Sequence, residues 1–335
     1  MLSRCLTLMA TVNLMFAGSG CDRGNRPQTG AGGDSATTLR AVKLQLNWKP
    51  EPQFGGFYAA DQVGAYRRHG LALEIVPGGI GTPTVQMVGA GKVDFAIVSA
   101  DELVIARSIG NDVVAIFAVY QTCPQGIMTH AARGFAQIGD IFQAAGTLAL
   151  QSGLPYAQFL EQRYGFGKLH IVPSPGGEIT SFLADPTFAQ QCFVTSEPIA
   201  ARRAGADPRT FLVADAGYNP YTTIVVTRGP YLRENKEVAR ALARAVQEGW
   251  RAYLDDPAAT NARMQQLNPA MDAQTFSQSA AAQRPLIETE QTHRAGLGSM
   301  TAERWETLCR QLVELKVIEH APPPRECFVD LLSSD

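Results

Sequence analysis

Short apolar runs alternate with amphipathic runs along residues 42–119, a pattern that predicts strands alternating with helices. In chain order, the predicted elements are strand 42–46, helix 55–67, strand 71–76, helix 82–89, strand 93–98, helix 101–109 and strand 113–119. The run 93–98 is almost wholly apolar, as expected of a strand covered on both faces of a sheet. Helices between strands imply right-handed crossovers, so we predict a mainly parallel sheet.

The same alternation restarts further along the chain. Strands are predicted at 147–150, 169–172, 192–195 and 210–213, with helices at 156–164 and 198–203 and a short helix after Gly177. After Asn235 the chain turns helical and carries 3.6-residue apolar stripes over 238–254 and 305–315. We interpret this as a second, smaller α/β unit followed by helices that pack against a core.

The N-terminus has a different pattern. Arg4 is the only charged residue before Asp22, and residues 5–16 are mostly apolar, a run too short for the about 20 residues of a membrane span. Small residues then lead into Cys21. This predicts a signal peptide over 1–20, and the junction resembles a lipobox with Cys21 as the lipidated residue. Gly18 stands where that motif usually has Leu, so ordinary cleavage stays open. Residues 21–39 predict a flexible tether.

Composition limits the classes of function. A chain of 335 residues with 45% hydrophobic residues suits two globular domains. The net charge of −2 lacks the basic excess of a nucleic-acid-binding protein, so no nucleic-acid partner is expected. The only membrane contact that we expect is an N-terminal lipid anchor.

The cysteines and histidines give no metal-binding pattern. No C-x-x-C pair occurs and the five histidines are scattered, so neither a metal site nor a cofactor is expected. Of the six cysteines, Cys5 lies in the predicted signal peptide and Cys21 is the predicted lipidation site. Among the other four, Cys309 and Cys327 lie closest in sequence, and we predict that they form a disulfide in an exported protein. Buried free thiols are the alternative. The chain also lacks a phosphate-binding loop, a complete dinucleotide fingerprint, a G-x-S-x-G elbow and an H-E-x-x-H motif, which lowers the expectation of an enzyme.

Polar and aromatic residues follow the predicted strands. They are Asn47-Trp48, Gly78-Gly79, Ser99-Ala100-Asp101-Glu102 and Tyr120-Gln121 in the first unit, and Gln151-Ser152-Gly153, Thr195-Ser196-Glu197 and Tyr218-Asn219 in the second. In open parallel sheets ligands bind outside the carboxyl ends of the strands. Two such edges facing each other predict a small-molecule cleft between the units.

Several motifs in this order resemble the SsuA/THI5-like (NMT1/THI5) family of substrate-binding proteins of bacterial ABC importers. They are Leu46-Asn47-Trp48, Gly55-Gly56-Phe57-Tyr58-Ala59-Ala60, Gly64-Ala65-Tyr66, Val76-Pro77-Gly78-Gly79, Gly91-Lys92-Val93-Asp94-Phe95 and Ser196-Glu197-Pro198. The resemblance implies an α/β protein with the type II periplasmic-binding fold, two lobes with a ligand cleft between them. It places the first lobe at 40–129, the second at 130–222 and the return to the first at 223–335. The crossings are expected near Met128–Ala131 and Tyr221–Val226.

The family resemblance also implies a function. We expect an exported, monomeric binding protein, periplasmic or on the outer face of the membrane, which delivers a small solute to permease and ATPase subunits. The alternatives are a synthase of the thiamine pyrimidine and a binder of a sulfonate- or nitrate-type anion. The synthases use a histidine that precedes the Gly-Gly pair, where this chain has Phe54, and a cysteine cluster that it lacks. We therefore expect no enzyme.

Aromatic residues near the strand ends, without Arg or Lys in those segments, favour a flat heterocycle, a thiamine-type pyrimidine first and a flavin second. Glu197 matches a glutamate that recognises the ligand in the family, so the resemblance implies that it accepts hydrogen bonds from the ligand. Trp48 is expected to stack on the ligand's ring. A helix-capping Glu197 and a core Trp48 are the alternative roles. The candidate ligand-binding residues are Asn47, Trp48, Phe54, Tyr58, Gly79, Ser99, Tyr120, Gln151, Tyr156, Glu197 and Tyr218.

Overall fold

The computed structural model describes residues 38–151, 153–174 and 176–333. The predicted signal peptide, Cys21 and nearly all of the predicted tether lie outside these residues. No helix in the described part of the chain is both long enough and apolar enough to cross a membrane.

The described residues form ten strands. In chain order they are β1 (Arg40–Gln45), β2 (Leu71–Val76), β3 (Phe95–Val98), β4 (Val113–Tyr120), β5 (Gln125–His130), β6 (Gly146–Leu150), β7 (Leu169–Pro173), β8 (Phe188–Phe193), β9 (Pro208–Leu212) and β10 (Thr222–Arg228).

Helices connect and cover these strands. In chain order they are α1 (Gly55–Gln62), α2 (Ala65–Arg68), α3 (Thr84–Gly89), α4 (Ala100–Ser108), α5 (Ile138–Gln143), α6 (Pro155–Tyr164), α7 (Thr180–Ala184), α8 (Glu197–Arg203), α9 (Gly229–Glu234), α10 (Lys236–Asp255), α11 (Ala258–Leu267), α12 (Ala273–Ile287), α13 (Glu290–Ala295) and α14 (Ala302–Glu314). Short 3-10 turns occur at Pro52–Phe54, Ala131–Arg133, Ala214–Ala216 and Pro324–Glu326.

The strands make two five-stranded sheets with the same plan. The first has the order β2-β1-β3-β10-β4 and the second the order β7-β6-β8-β5-β9. In each sheet the three strands at one side are parallel, while β10 and β5 run antiparallel to both of their neighbours. The sheets are therefore mixed rather than mainly parallel. In each sheet the antiparallel strand is the one that directly follows a strand of the other sheet, since β5 follows β4 and β10 follows β9.

We call the first sheet with its helices the first lobe and the second sheet with its helices the second lobe. The chain passes between the sheets at 121–124, and it returns at 213–221. Because β5 belongs to the second sheet, the first change of sheet precedes the expected Met128–Ala131 crossing. The return ends where the expected Tyr221–Val226 segment begins. Local pattern did not reveal β5, since residues 125–130 are short and follow β4 almost at once.

Close packing of α1 on α10 holds the first lobe together. Trp250 and Tyr253 are buried, and the Phe57 ring meets the Trp250 ring edge-on at 6.1 Å between centroids. A Cβ at Gly249 would lie only 2.2 Å from the Gly56 carbonyl oxygen. The two helix backbones can approach this closely because the crossing point has no side chain there.

The C-terminal segments return to the first lobe, as the resemblance implies. Gly298 and Phe328 form isolated β-bridges with Ala118 and Ala115 of β4. Cys309 and Cys327 are both buried and appear as free thiols, which point toward the carbonyls of Pro322 and Pro323 at 3.9 and 3.8 Å. A hydrogen bond from Cys327 lowers the pKa of Cys309, so the two sulfurs are neighbours. Their pairing stays a prediction.

Candidate functional site

Loops that leave the two sheets meet between the lobes, and we call the region that they border the cleft. The loop after β2 contacts the loop after β7, because a Cβ at Gly176 would lie 3.3 Å from Ile80 Cδ1. An ion pair of 3.1 Å between Arg203 of α8 and Asp272 at the start of α12 also joins the lobes. The structure therefore has its two lobes in contact around the cleft.

Trp48 and Glu51 lie on the first-lobe side, in the loop after β1. The Trp48 indole N–H donates to Glu51 Oε1 at 3.1 Å. The Gly78 N–H donates to the Trp48 carbonyl at 3.0 Å, and a Cβ at Gly78 would collide with the Leu46 carbonyl oxygen at 2.2 Å. Trp48 is partly buried and packs against the first-lobe core. Asn47 beside it is also partly exposed.

Burial raises the pKa of Glu51 to about 7. Hydrogen bonds from Trp48 and Asn268 and the charge of Lys49 lower it, while the charge of Glu197 raises it further. Glu51 thus keeps its proton to a higher pH than an exposed glutamate does.

Glu197 lies on the second-lobe side, as the first residue of α8. Its Oε2 accepts a hydrogen bond from the Phe193 N–H at 2.8 Å. Burial raises the pKa of Glu197 to about 7, although backbone N–H groups of Glu197 and Phe193 lower it. No lysine or arginine of the described residues forms an ion pair with Glu197 or Glu51 within 4 Å. Two acidic groups from opposite lobes thus act on each other, and neither has an ion-pair partner among the described residues.

Tyr120 and Phe193 connect these two groups. Their rings meet edge-on at 6.4 Å between centroids, so the end of β4 packs against the end of β8. The Tyr120 hydroxyl donates to Gln283 Oε1 of α12 at 2.8 Å. Tyr120 is fully buried, which favours a role in lobe packing beside the cleft.

Gln191 organises the second-lobe wall. Its Oε1 accepts from the Gln151 N–H at 2.6 Å and from the Tyr156 hydroxyl at 2.5 Å. Gln151 is exposed, whereas Tyr156 is buried. Burial raises the pKa of Tyr156, and the charge of Glu197 adds to this, which places the two side chains in one neighbourhood.

Three further candidates take local structural roles. Ser99 and Glu102 form a capping box at the start of α4, with the Ser99 N–H donating to Glu102 Oε2 at 2.8 Å. The buried Tyr218 donates to Asp101 Oδ2 at 3.2 Å and so ties the return segment to the first lobe. The Gly79 N–H donates to the Thr82 hydroxyl at 2.9 Å, and the space where its Cβ would lie is open.

Phe54 and Tyr58 are buried in the first-lobe core and do not reach the cleft surface. Of the six aromatic candidates, Trp48 is the one that keeps accessible surface, since Tyr120, Tyr156 and Tyr218 are buried as well. Fewer aromatic candidates therefore have accessible surface than the sequence analysis expected. Phe54 ends the 3-10 turn before α1, and the guanidinium of Arg263 in α11 lies over the Tyr58 ring at 5.9 Å from its centroid.

The sequence analysis missed Glu51, Gln191 and Phe193. Glu51 lies beyond the residues that directly follow β1, in a proline-rich turn. Gln191 and Phe193 belong to β8, which spans Phe188–Phe193 rather than 192–195. The sequence feature that could have indicated Glu51 is its position three residues after Trp48, the residue expected to stack on the ligand.

The arrangement offers hydrogen-bond acceptors beside one accessible indole. Within the described residues, no group of three or more histidine, cysteine or acidic side chains could hold a metal ion. What the cleft can do chemically is accept hydrogen bonds from a small, donor-bearing ring and cover its face.

Comparison with known proteins gives the family. The NMT1/THI5-like family profile matches residues 51–260. The chain is 23% identical to a formylaminopyrimidine-binding protein of Halalkalibacterium halodurans over 80% of this chain and 83% of the relative. It is 22% identical to the riboflavin-binding protein RibY of Chloroflexus aurantiacus over 80% of this chain and 79% of the relative. A 4-amino-5-hydroxymethyl-2-methylpyrimidine phosphate synthase of Legionella pneumophila matches at 28% identity, over only 30% of this chain and 32% of the relative.

Among solved structures, the periplasmic aliphatic sulphonate binding protein SsuA of Escherichia coli matches with a TM-score of 0.67 at 13% identity. The match covers 88% of this chain and 95% of SsuA. At this identity the likeness concerns the fold, which is that of the periplasmic binding proteins. The chain belongs to the NMT1/THI5-like family.

Proposed function

We propose that this protein is the extracytoplasmic solute-binding component of an ABC importer and that it captures a small heterocycle by closure of its two lobes. A thiamine-type aminopyrimidine is the favoured solute. The signal-like N-terminus and Cys21 support export and lipid anchoring, with the protein acting as a monomer that delivers its solute to permease and ATPase subunits.

The observation that carries the proposal is Glu197, which forms no ion pair among the described residues and whose charge acts on Glu51, the hydrogen-bond partner of Trp48. A buried carboxylate without an ion-pair partner is costly, and a cleft that retains one is suited to a ligand that donates to it. An aminopyrimidine offers an exocyclic amine and a protonatable ring nitrogen. The accessible part of Trp48 supplies a flat surface on which such a ring can stack.

The relatives support a flat ring over an anion. Two of them are named for formylaminopyrimidine and riboflavin. A sulfonate- or nitrate-type anion would meet Glu51 and Glu197 in the cleft, and like charges in a partly desolvated site repel. A synthase is disfavoured because Phe54 occupies the histidine position and is buried in the core.

A thermal-shift screen tests the ligand class. Aminopyrimidines, riboflavin, alkanesulfonates and nitrate are added separately to the purified protein, and the melting temperature is measured. We expect stabilisation by aminopyrimidines, by about 2.7 kcal/mol at a concentration of one hundred times Kd. A shift with sulfonate or nitrate alone would overturn the proposal, and a shift with riboflavin alone would make the flavin the solute.

Small-angle scattering tests lobe closure. Two lobes joined by two crossings close by hinge motion, so the saturated protein should have a smaller radius of gyration than the ligand-free protein. Identical profiles at saturation would contradict closure on binding and leave a cleft that is closed beforehand.

A further inference from the structure

Glu51 is an acidic group that the sequence analysis did not place in the site. It comes from the first lobe, whereas Glu197 comes from the second. A chain of contacts connects the two. The Phe193 N–H donates to Glu197, and the Phe193 ring meets the ring of Tyr120. The Tyr120 hydroxyl donates to Gln283, whose Nε2 donates to the carbonyl of Pro52, the residue after Glu51. The loops also meet at Ile80 and Gly176. The two carboxyl groups thus approach the same cleft from opposite lobes.

Neither group is neutralised by its surroundings. Among the described residues, the charged groups that act on Glu51 are Glu197 and Lys49, and Lys49 is itself exposed to water. Glu197 has only backbone N–H donors. Each carboxyl group accepts a hydrogen bond from a neutral donor, Trp48 for Glu51 and the Phe193 N–H for Glu197. A carboxylate has about four acceptor positions, so each group can still accept from a ligand.

We infer that Glu51 is a second ligand-recognition residue and that the two glutamates hold opposite edges of one donor-bearing ring, an inference that rests on the proposed function. The cleft then selects rings that present a donor at each of two opposite edges. A ring with acceptors at both edges is rejected, because each carboxylate would be left without a partner.

A 4-aminopyrimidine has this pattern. Its exocyclic amine and the ring nitrogen that takes a proton most readily lie para to each other, on opposite edges of the ring. One carboxylate accepts from the amine while the other accepts from the protonated ring nitrogen. The proton needed for the second contact comes from the pair of glutamates or from water, and no covalent bond changes.

The same arrangement couples the ligand to closure. When the cleft is empty and both carboxylates are ionised, their repulsion disfavours approach of the lobes. A ring that donates to both replaces this repulsion with two charge-assisted hydrogen bonds. Closure is then favoured chiefly when a ring with two donor edges is present.

Calorimetric titration with 4-amino-5-hydroxymethyl-2-methylpyrimidine tests the inference. Four proteins are compared at pH 7: the unchanged protein, Glu51→Gln, Glu197→Gln and the control Glu161→Gln, which changes an exposed glutamate of α6. Gln keeps an oxygen that can accept from Trp48, so Glu51→Gln should fold, and a melting curve checks this. We expect both cleft variants to bind about ten- to a hundredfold more weakly and the control to bind normally.

A second ligand separates contact from indirect effects. With the same pyrimidine lacking its exocyclic amine, one of the two variants should bind as well as the unchanged protein, since its carboxylate no longer has a donor to lose. Unchanged affinity of Glu51→Gln for the aminopyrimidine, with Glu197→Gln weakened, would refute the inference and leave the proposed function intact. If both variants were weakened by the same factor for both ligands, that would also refute it. Absence of aminopyrimidine binding by the unchanged protein would refute the proposed function itself.

Discussion

Glu197→Gln should stabilise the ligand-free protein while it weakens ligand binding. Burial raises the pKa of Glu197 from 4.5 to about 7, so the folded state holds this proton more tightly than the unfolded state does. Between those two pH values the unfolded chain is ionised and the folded chain is protonated. Stability therefore falls as pH rises from about 4.5 to about 7, and it stays at the lower level above pH 7.

The shift in pKa sets the size of the effect. At about 1.4 kcal/mol for each pH unit, the ionised Glu197 costs about 3 kcal/mol at pH 8. A neutral Gln removes this cost and can still accept from the Phe193 N–H. Its amide NH₂ group needs a partner of its own, which offsets about 1 kcal/mol. We expect a net gain of about 2 kcal/mol, or about 4 °C in Tm for a chain of this size.

Thermal melts of both proteins at pH 8 and pH 5, without ligand, measure the effect. The gain should be present at pH 8 and nearly absent at pH 5, where the folded wild type is already protonated. A helix-capping role for Glu197 predicts the opposite pair of results, a lower Tm with normal ligand affinity. A variant Tm at or below that of the wild type at pH 8 would refute the claim that the cleft penalises this charge.

Three further outcomes are expected. Trp48→Ala should weaken aminopyrimidine binding by the stacking contribution of about 0.5–1.5 kcal/mol plus the lost contact area. Calorimetry measures this, with Trp48→Phe as the milder change. Unchanged affinity in both variants would show that Trp48 has a purely structural role. Thiol counting on denatured, unreduced protein exported to the periplasm should find Cys309 and Cys327 unreactive. Their disulfide should stabilise the protein by about 3 kcal/mol, and a reductant should remove this stabilisation. Four reactive thiols would contradict the disulfide. Gly249→Ala should lower the free energy of unfolding by about 1–3 kcal/mol or more, because its Cβ would lie 2.2 Å from the Gly56 carbonyl oxygen. Unfolding in urea measures this. An unchanged urea midpoint would show that α1 and α10 can separate freely.

The sequence by itself determined the local elements. Apolar runs located β2 at Leu71–Val76 and placed α4 and β4 within a residue or two, because periodicity reports which side of a local segment is buried. Ordered motifs around Trp48 and Glu197 were enough to give the family and the two-lobed fold. Both residues lie beside strand ends, where the rule for open α/β sheets puts ligands.

Only the tertiary structure decided which of the candidates are buried. Phe54, Tyr58 and Tyr120 have the residue types expected of a binding site, yet all three are buried. Tyr120 meets Phe193 of the second lobe edge-on, a contact that local sequence does not reveal. Glu51 became a candidate through the charge of Glu197, which lies in the other lobe. Neither fact is encoded in local periodicity, because burial in the cleft and the field of a second carboxylate depend on how two distant segments are brought together.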